Sequence, residues 1–265
     1  MPSSVHGPSP LADITAAILA GGLGSRLRGA IGERQKVAAE VGDRPFVAYL
    51  LDRLARAGIR TTVLCTGHRA EDVARDVGDT HRLSDEDEGK AGMRIIHSVE
   101  PRPLGTAGAL AHALPHLTSH QTLVLNGDSY CGVDLHAFVA AVRASGAAGG
   151  IVLVRQDDTA SYGRVELDDS GFVGRFVEKG ESTAGRTATG PGWINAGVYL
   201  LGRELLEEIP RVRPVSLERE MFPRWIDRGL WAFPTDAPFL DIGTPERYAE
   251  ARAFLEAASD ADECR

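Results

Sequence analysis

Residues 19–36 read LAGGLGSRLRGAIGERQK, with glycines at 21, 22, 24, 29 and 32 and cationic side chains at Arg26, Arg28, Arg34 and Lys36. The segment grows out of the apolar run ITAAIL, residues 14–19. That run has the length and composition of a buried strand, so the glycines open at a strand end. Glycine has no Cβ, and its backbone can approach a ligand closely. Successive N–H groups pointing inward form an anion cradle. Arg26 and Lys36 would add full charges suited to phosphate oxygens. Two familiar phosphate motifs fail on spacing: no Lys-Ser or Lys-Thr follows the glycines, and Leu27 stands where GxGxxG needs its third glycine. A surface turn with solvated arginines is the plain alternative for this stretch alone.

Strand and helix alternate outward from this loop. RPFVAYLLDRLARAG places Val47, Leu50, Leu51 and Leu54 on one helical face and Asp52, Arg53 and Arg56 on the other, with Pro45 at its start and Gly58 at its end. RTTVLCT, MRIIHS, TLVLNGDSY and GGIVLVRQ read as strands, and RAEDVARDV, GTAGALAHAL and DLHAFVAAVRAS as helices. About four such alternations predict right-handed βαβ units on a parallel sheet. After Gln156 the rhythm changes. YGRVELDDSGFVGRFVEK reads as a hairpin around Asp169-Ser170-Gly171, WINAGVYLL as a strand, and SLEREMFPRWIDRG as a helix with Met221, Phe222, Trp225 and Ile226 apolar. PFLDIGTPERYAEARAFLEAA closes the pattern with a short strand and a helix starting at Thr244-Pro245, its apolar side carrying Tyr248, Ala251, Leu255 and Ala258.

At 265 residues and a net charge of -8, the chain can bury a large core without staples and lacks the basic face of a general nucleic-acid binder. The basic loop is a local exception. Cys65, Cys131 and Cys264 are scattered, odd in number and without a CxxC, which points to a reducing compartment and no zinc site. No run approaches 18 apolar residues. MPSSVHGPSPLAD lacks a basic start followed by an apolar run, so residues 1–13 are expected to be a disordered leader and the protein cytoplasmic, away from membranes.

Further candidates for chemistry lie at strand ends. Asp128 follows the apolar strand of TLVLNGDSY, at the carboxyl edge where α/β sheets build ligand sites. Asp241 follows the short strand of PFLDIG. Either could be an ordinary turn or capping residue. Together with a phosphate loop they form a coherent Mg2+-nucleotide set, since Mg2+ commonly takes one or two carboxylates plus substrate phosphates. Glu178 and Lys179 in FVEKG and Asn195 in WINAGVY suit sugar hydroxyls and a phosphate monoester, against the alternative of exposed strand ends. His112, His116 and His120 have i, i+4, i+8 spacing, but Pro115 is expected to end that helix by Leu114, which disfavours a metal face.

The set LAGGLGSRL…K, EPRPLGTAGAL, LNGDSY, VEK, NAGVYL and FLDIGTPERY, in this order, resembles the sugar-1-phosphate nucleotidyltransferases over about residues 14–257. Within them it looks most like the D-glycero-D-manno-heptose 1-phosphate guanylyltransferases, through LNGDSY, the compact length and the absence of a C-terminal β-helix. The resemblance implies an α/β fold: a Rossmann-like nucleotidyltransferase core, with a mixed, mostly parallel sheet flanked by helices, and a small β-rich sugar-binding subregion. The expected layout is one domain over 14–258, with the sugar subregion at about 157–240 and a frayed tail at 259–265. It implies transfer of a nucleotidyl group from NTP to a sugar 1-phosphate, with Mg2+ as cofactor. Leu19, Ala20, Gly21, Gly22, Gly24, Ser25, Glu100, Gly105, Thr106 and Gly127 would bind the nucleotide. Arg26 and Lys36 would neutralise the reacting phosphates, and Asp128 and Asp241 would hold the metal. Gly163, Glu178, Lys179 and Asn195 would contact the sugar phosphate. One departure is local: the family usually has proline on either side of the lysine, and this chain reads RQKVA.

Glu100 occupies the region where the family reads the base. A carboxylate only accepts hydrogen bonds. Guanine offers two adjacent donors, whereas uracil and thymine offer one donor between two acceptors, so GTP is the expected nucleotide. The readings that compete are a mannose 1-phosphate guanylyltransferase, a uridylyltransferase on another sugar phosphate, a GT-A glycosyltransferase and a non-catalytic nucleotide-sugar sensor. Ser129 and Tyr130 after Asp128 break the Asp-x-Asp pair of the glycosyltransferase. The sequence leaves homo-oligomerisation open.

Overall fold

Parallel pairing organises the core around the strand that feeds the glycines. β1 (Thr15–Ala20), β2 (Thr61–Thr66), β3 (Met93–Val99) and β4 (Gln121–Asn126) run parallel in the spatial order β3-β2-β1-β4. The computed structural model describes residues 11–22, 27, 35–83, 92–157, 159, 162–177, 182–183, 186–187 and 190–263. β5 (Ser129–Cys131) comes directly after β4, and β6 (Gly149–Gln156), β7 (Arg164–Leu167), β8 (Val173–Val177), β9 (Gly192–Gly202), β10 (Leu230–Thr235) and β11 (Phe239–Asp241) complete the strands used below. The long β9 lies antiparallel to β4 and carries β6 on its other side, which corrects the expectation that β6 continues the parallel series. A strand from later in the chain occupies the place beside β4, so β6 is displaced outward and pairs in parallel with β10. β7 joins β9, and β8 closes the expected hairpin on β7.

The helices used below are α1 (Phe46–Arg56), α2 (Ala70–Val77), α3 (Gly105–Ala113), α4 (Leu135–Ser145) and α5 (Pro245–Glu263). Alternation along β1 sends Ala16, Ile18 and Ala20 into one apolar layer with α1, α2, α4 and α5, and Ala17 into the other with α3. α1 contributes Phe46, Val47, Leu50, Leu51 and Leu54, all 1% exposed or less. Each such side chain is worth about 1.5–3 kcal/mol on burial. The helix ends as its glycine foretells: Gly58 takes φ 84°, its N–H reaches the Ala55 carbonyl, and Ile59 N–H reaches Leu54. Asp134 caps α4 through Oδ1, which accepts from His136 and Ala137 N–H.

Four expectations need correction. Leu11, counted with the leader, is fully buried and accepts a hydrogen bond from Ile14 N–H. Helix α5 runs to Glu263, so residues 259–263 are helical rather than frayed. The SLEREMFPRWIDRG segment is no regular helix: a π-helical turn at Leu217–Met221 precedes a short α turn and a 3-10 turn. Asp52 and Arg53, placed on the solvent side of α1, are 6% and 7% exposed, because each finds polar partners on a neighbouring element. The helix before Pro115 does end at Ala113, and His112 turns its Nε2 to the Val99 carbonyl. Among the described residues no helix is long and apolar enough to cross a membrane.

Candidate active site

β4 ends in the turn Gly127-Asp128, and the chain turns at once into β5. β5 pairs antiparallel with β11, with Ser129 opposite Asp241, and Ile242 N–H bonds the Asp128 carbonyl. Two aspartates distant in sequence are thus fixed side by side by backbone pairing. Burial and the neighbouring Asp128 charge hold the Asp241 carboxyl above its ordinary range, while the Gly243 N–H, Arg247 and Lys36 pull it back. Asp128 Oδ2 pairs with Lys36 Nζ at 3.2 Å, and Asp241 Oδ2 with Arg247 Nη1 at 2.9 Å. Two neighbouring carboxylates whose charges repel form a donor set that a hard divalent cation fits.

Asp128 of this pair lines a cavity of about 570 Å3, within the range of small-ligand sites. Its wall includes the ends of β1 (Leu19, Ala20) with Gly21 and Gly22, and the ends of β3 (Glu100) and β4 (Gly127, Asp128). Lys36 and the N-terminus of α3 (Gly105, Thr106) complete the wall on two other sides. All ten were singled out in the sequence. Gly127 stands where a Cβ would lie 2.6 Å from the Leu19 carbonyl, which its own N–H bonds at 2.9 Å. Gly105 has φ 76°, and a Cβ there would lie 2.5 Å from the Val215 carbonyl. That carbonyl accepts the free N–H groups of Ala107 and Gly108 and so ties a distant segment to the start of α3.

Glu100 gives the glycines a second reason. A Cβ on Gly21 or Gly67 would lie 2.8 or 2.6 Å from its Oε1, so both glycines make room for the carboxylate, and Gly21 lines the cavity as well. Leu104 N–H donates to Oε2 at 3.0 Å, and Oε1 has no hydrogen bond among the described residues. Burial pushes this carboxyl up, with the Leu104 N–H and His112 opposing.

Lys36 keeps a frame without its prolines. Gln35 has φ -69° and ψ 147°, values proline itself adopts, and its carbonyl starts the 3-10 turn Lys36–Ala38 by accepting Ala38 N–H. The Gln35 side chain is 4% exposed, with neither amide atom hydrogen-bonded among the described residues. Helix α1 braces both sides of the Lys36–Asp128 pair. Asp52 holds Arg44, in the hairpin just after Lys36, at 2.8 Å, and His81 at 2.7 Å. Arg53 donates to the Cys131 and Val133 carbonyls beneath β5 and lies 5.0 Å from the Tyr130 ring centroid.

Gly24, Ser25, Arg26, Glu178 and Lys179 lie outside the described residues. Gly163, Asn195 and Asp241 fall outside the cavity wall, Asp241 standing behind Asp128 on the β5–β11 ladder. Asn195 spends its amide internally, donating to the Tyr199 hydroxyl and accepting Gly197 N–H, both at 2.8 Å, across the bulge of β9. Sequence reasoning missed Val37, Pro103, Ala109, Asn126 and Glu218, which also line the cavity. Glu218 comes from the π-helical turn, a form often found at functional sites. Its Oε2 accepts from the Thr106 and Ser216 hydroxyls, leaving Oε1 without a partner among the described residues. The missed signal was SLEREM, read only for its apolar face.

The Nucleotidyl transferase family model matches residues 15–258. The chain is 32% identical over 245 residues to a mannose-1-phosphate guanylyltransferase of Mycobacterium tuberculosis, covering 91% of this chain and 64% of that protein. It is 30% identical over 242 residues to a D-glycero-alpha-D-manno-heptose 1-phosphate guanylyltransferase of Aneurinibacillus thermoaerophilus, covering 91% and 98%. The crystal structure of HddC from Yersinia pseudotuberculosis complexed with GMP-PN superposes with a TM-score of 0.75 at 30% identity, covering 91% of this chain and 98% of that one.

Proposed function

The chain belongs to the nucleotidyl transferase family, and from that premise we propose that it transfers GMP from GTP to a sugar 1-phosphate of manno configuration. The products are a GDP-sugar and pyrophosphate. The observation that carries this is the β5–β11 pairing, which brings Asp241 beside Asp128, a residue that lines the cavity together with Gly21, Gly22 and Glu100. A heptose 1-phosphate is the favoured acceptor, because the heptose relative is matched over 98% of its length and the mannose relative over 64%. Mannose 1-phosphate is the second reading, favoured by the slightly higher identity.

No protein nucleophile is required. A phosphate oxygen of the sugar 1-phosphate attacks the α-phosphorus of GTP, and the bond to pyrophosphate breaks. The buried thiols offer no alternative: burial raises Cys65 to about 12 and pushes Cys131 up as well. The chain's work is positioning and charge neutralisation. Backbone N–H groups at Gly21 and Gly22 meet the nucleotide, and Lys36 exchanges Asp128 for phosphate oxygens. Arg26, by resemblance, takes the pyrophosphate side. Asp128 and Asp241 would hold Mg2+, which when bound withdraws charge from the α-phosphate. Glu100 accepts from guanine N1–H and N2–H2.

Pyrophosphate release with GTP, UTP, dTTP or CTP against heptose, mannose and glucose 1-phosphates tests the proposal. GTP with a manno-configured sugar is expected to dominate, and a pyrimidine preference refutes the guanylyl reading. Glu100→Gln is expected to lower kcat/KM for GTP by about 10- to 100-fold, the worth of a charge-assisted hydrogen bond. Since only the ionised Glu100 accepts both donors, KM for GTP should climb as pH falls through its raised pKa. The Gln variant should lose that acidic limb, and an unchanged pH profile would remove Glu100 from base reading.

A further inference from the structure

We infer that Arg247 is a built-in counter-ion that holds Asp241 in place of the divalent cation and thereby sets how much cation the site needs. This rests on the reading of Asp128 and Asp241 as cation ligands. Arg247 Nη1 lies 2.9 Å from Asp241 Oδ2, with the two side chains 31% and 24% exposed. The other carboxylate oxygen, Oδ1, already accepts the Gly243 N–H at 2.6 Å. Arg247 therefore occupies the oxygen that a cation would take.

Its position on the helix is unfavourable taken alone. Arg247 stands in the first turn of α5, directly after Pro245 and Glu246, and its own N–H faces the Thr244 hydroxyl at 3.4 Å. A helix N-terminus carries partial positive charge and disfavours a cation. Two partners offset that cost: the Asp241 carboxylate and the Tyr162 ring, whose centroid lies 4.8 Å from the guanidinium carbon. Phe239 backs the Tyr162 ring edge-on, with centroids 6.3 Å apart. The guanidinium thus has a second anchor that does not depend on Asp241. Asp128 carries the matching arrangement through Lys36 at 3.2 Å. Each acidic side chain of the pair has its own internal cation, and a metal ion must displace them. Arg247 is a positioning residue: it keeps Asp241 oriented in the metal-free protein and weakens the site for the incoming ion.

The test is titration of the whole protein with Mn2+ alone, following the free-ion signal by electron paramagnetic resonance. Arg247→Gln should bind Mn2+ roughly three- to five-fold more tightly than the parent protein, the scale of one partly exposed charge. Arg247→Lys retains the competing charge and should stay within about two-fold of the parent, on the same scale. Asp241→Asn should weaken Mn2+ binding, and the double variant Asp241→Asn/Arg247→Gln should bind no more tightly than Asp241→Asn. A purely structural arginine predicts loss, never gain. Unchanged or weaker binding in Arg247→Gln, with Asp241→Asn still weakened, overturns the counter-ion and leaves the metal site standing. Tightening that survives in the Asp241→Asn background also overturns it. If Asp128→Asn and Asp241→Asn both bind Mn2+ like the parent, the metal reading itself fails and takes the inference with it. A melting temperature for each variant confirms that the titrated chain is folded.

Discussion

Asp128→Asn is expected to lower kcat by about 10^2- to 10^3-fold or more, the scale of losing one main charge-stabilising group, while the protein melts no lower than before. The two halves have one cause. Asp128 and Asp241 are set side by side by the β5–β11 ladder, and the Asp128 charge is one of the causes that hold the Asp241 carboxyl up. Removing that charge relieves a repulsion in the resting protein. The loss of the Lys36 pair offsets little, because Asp128 is 43% exposed and ion pairs of that kind contribute weakly. A steady-state assay of pyrophosphate release and a calorimetric melt decide it. A kcat within ten-fold of the parent would mean that Asp128 only shapes the turn.

Arg53→Met should be the most damaging change to stability outside the apolar core. Arg53 is 7% exposed and has no carboxylate partner among the described residues. Its guanidinium serves the Cys131 and Val133 carbonyls and packs on Tyr130, which meets Phe254 of α5 edge-on at 5.9 Å. Methionine fills the volume and leaves two buried acceptors unpaired, each costing about 1–3 kcal/mol. The loss should total about 2–5 kcal/mol, the two acceptors together, which places it in the upper tail of single substitutions. Arg53→Lys, which can serve one acceptor, should lose less. Chemical denaturation measures both. Since β5 also carries the approach to Asp128, any folded Arg53→Met protein should show reduced kcat with KM for GTP little changed. A variant as stable as the parent would show that β5 holds its place without the clamp.

The strand ends that build the cavity were legible because a buried parallel strand announces itself as an apolar run. The residues just past each run, Gly21-Gly22, Glu100 and Gly127-Asp128, are then placed by counting. Arg53 was misread for a physical reason. Helical periodicity assigns polar side chains to water, and it cannot register backbone carbonyls supplied by β5 from much later in the chain. Glu218 was lost because a π-helical turn looks like an ordinary helix in a pattern of apolar residues. Lys36 lacks the flanking prolines of the family, yet Gln35 holds the φ that a proline would impose. Strands of three residues, such as β5 and β11, leave too few positions for any period. Their pairing became visible only in three dimensions, although both aspartates stand out singly in the sequence.

That pairing also fixes the order in which the two carboxylates are brought together as the chain is made. Most of the cavity wall comes from residues 19–128, with Glu218 added later, whereas Asp241 is delivered by β11 from beyond both. Asp128 is therefore made without the neighbour that the β5–β11 ladder supplies, and the two carboxylates meet only after β11 has been synthesised.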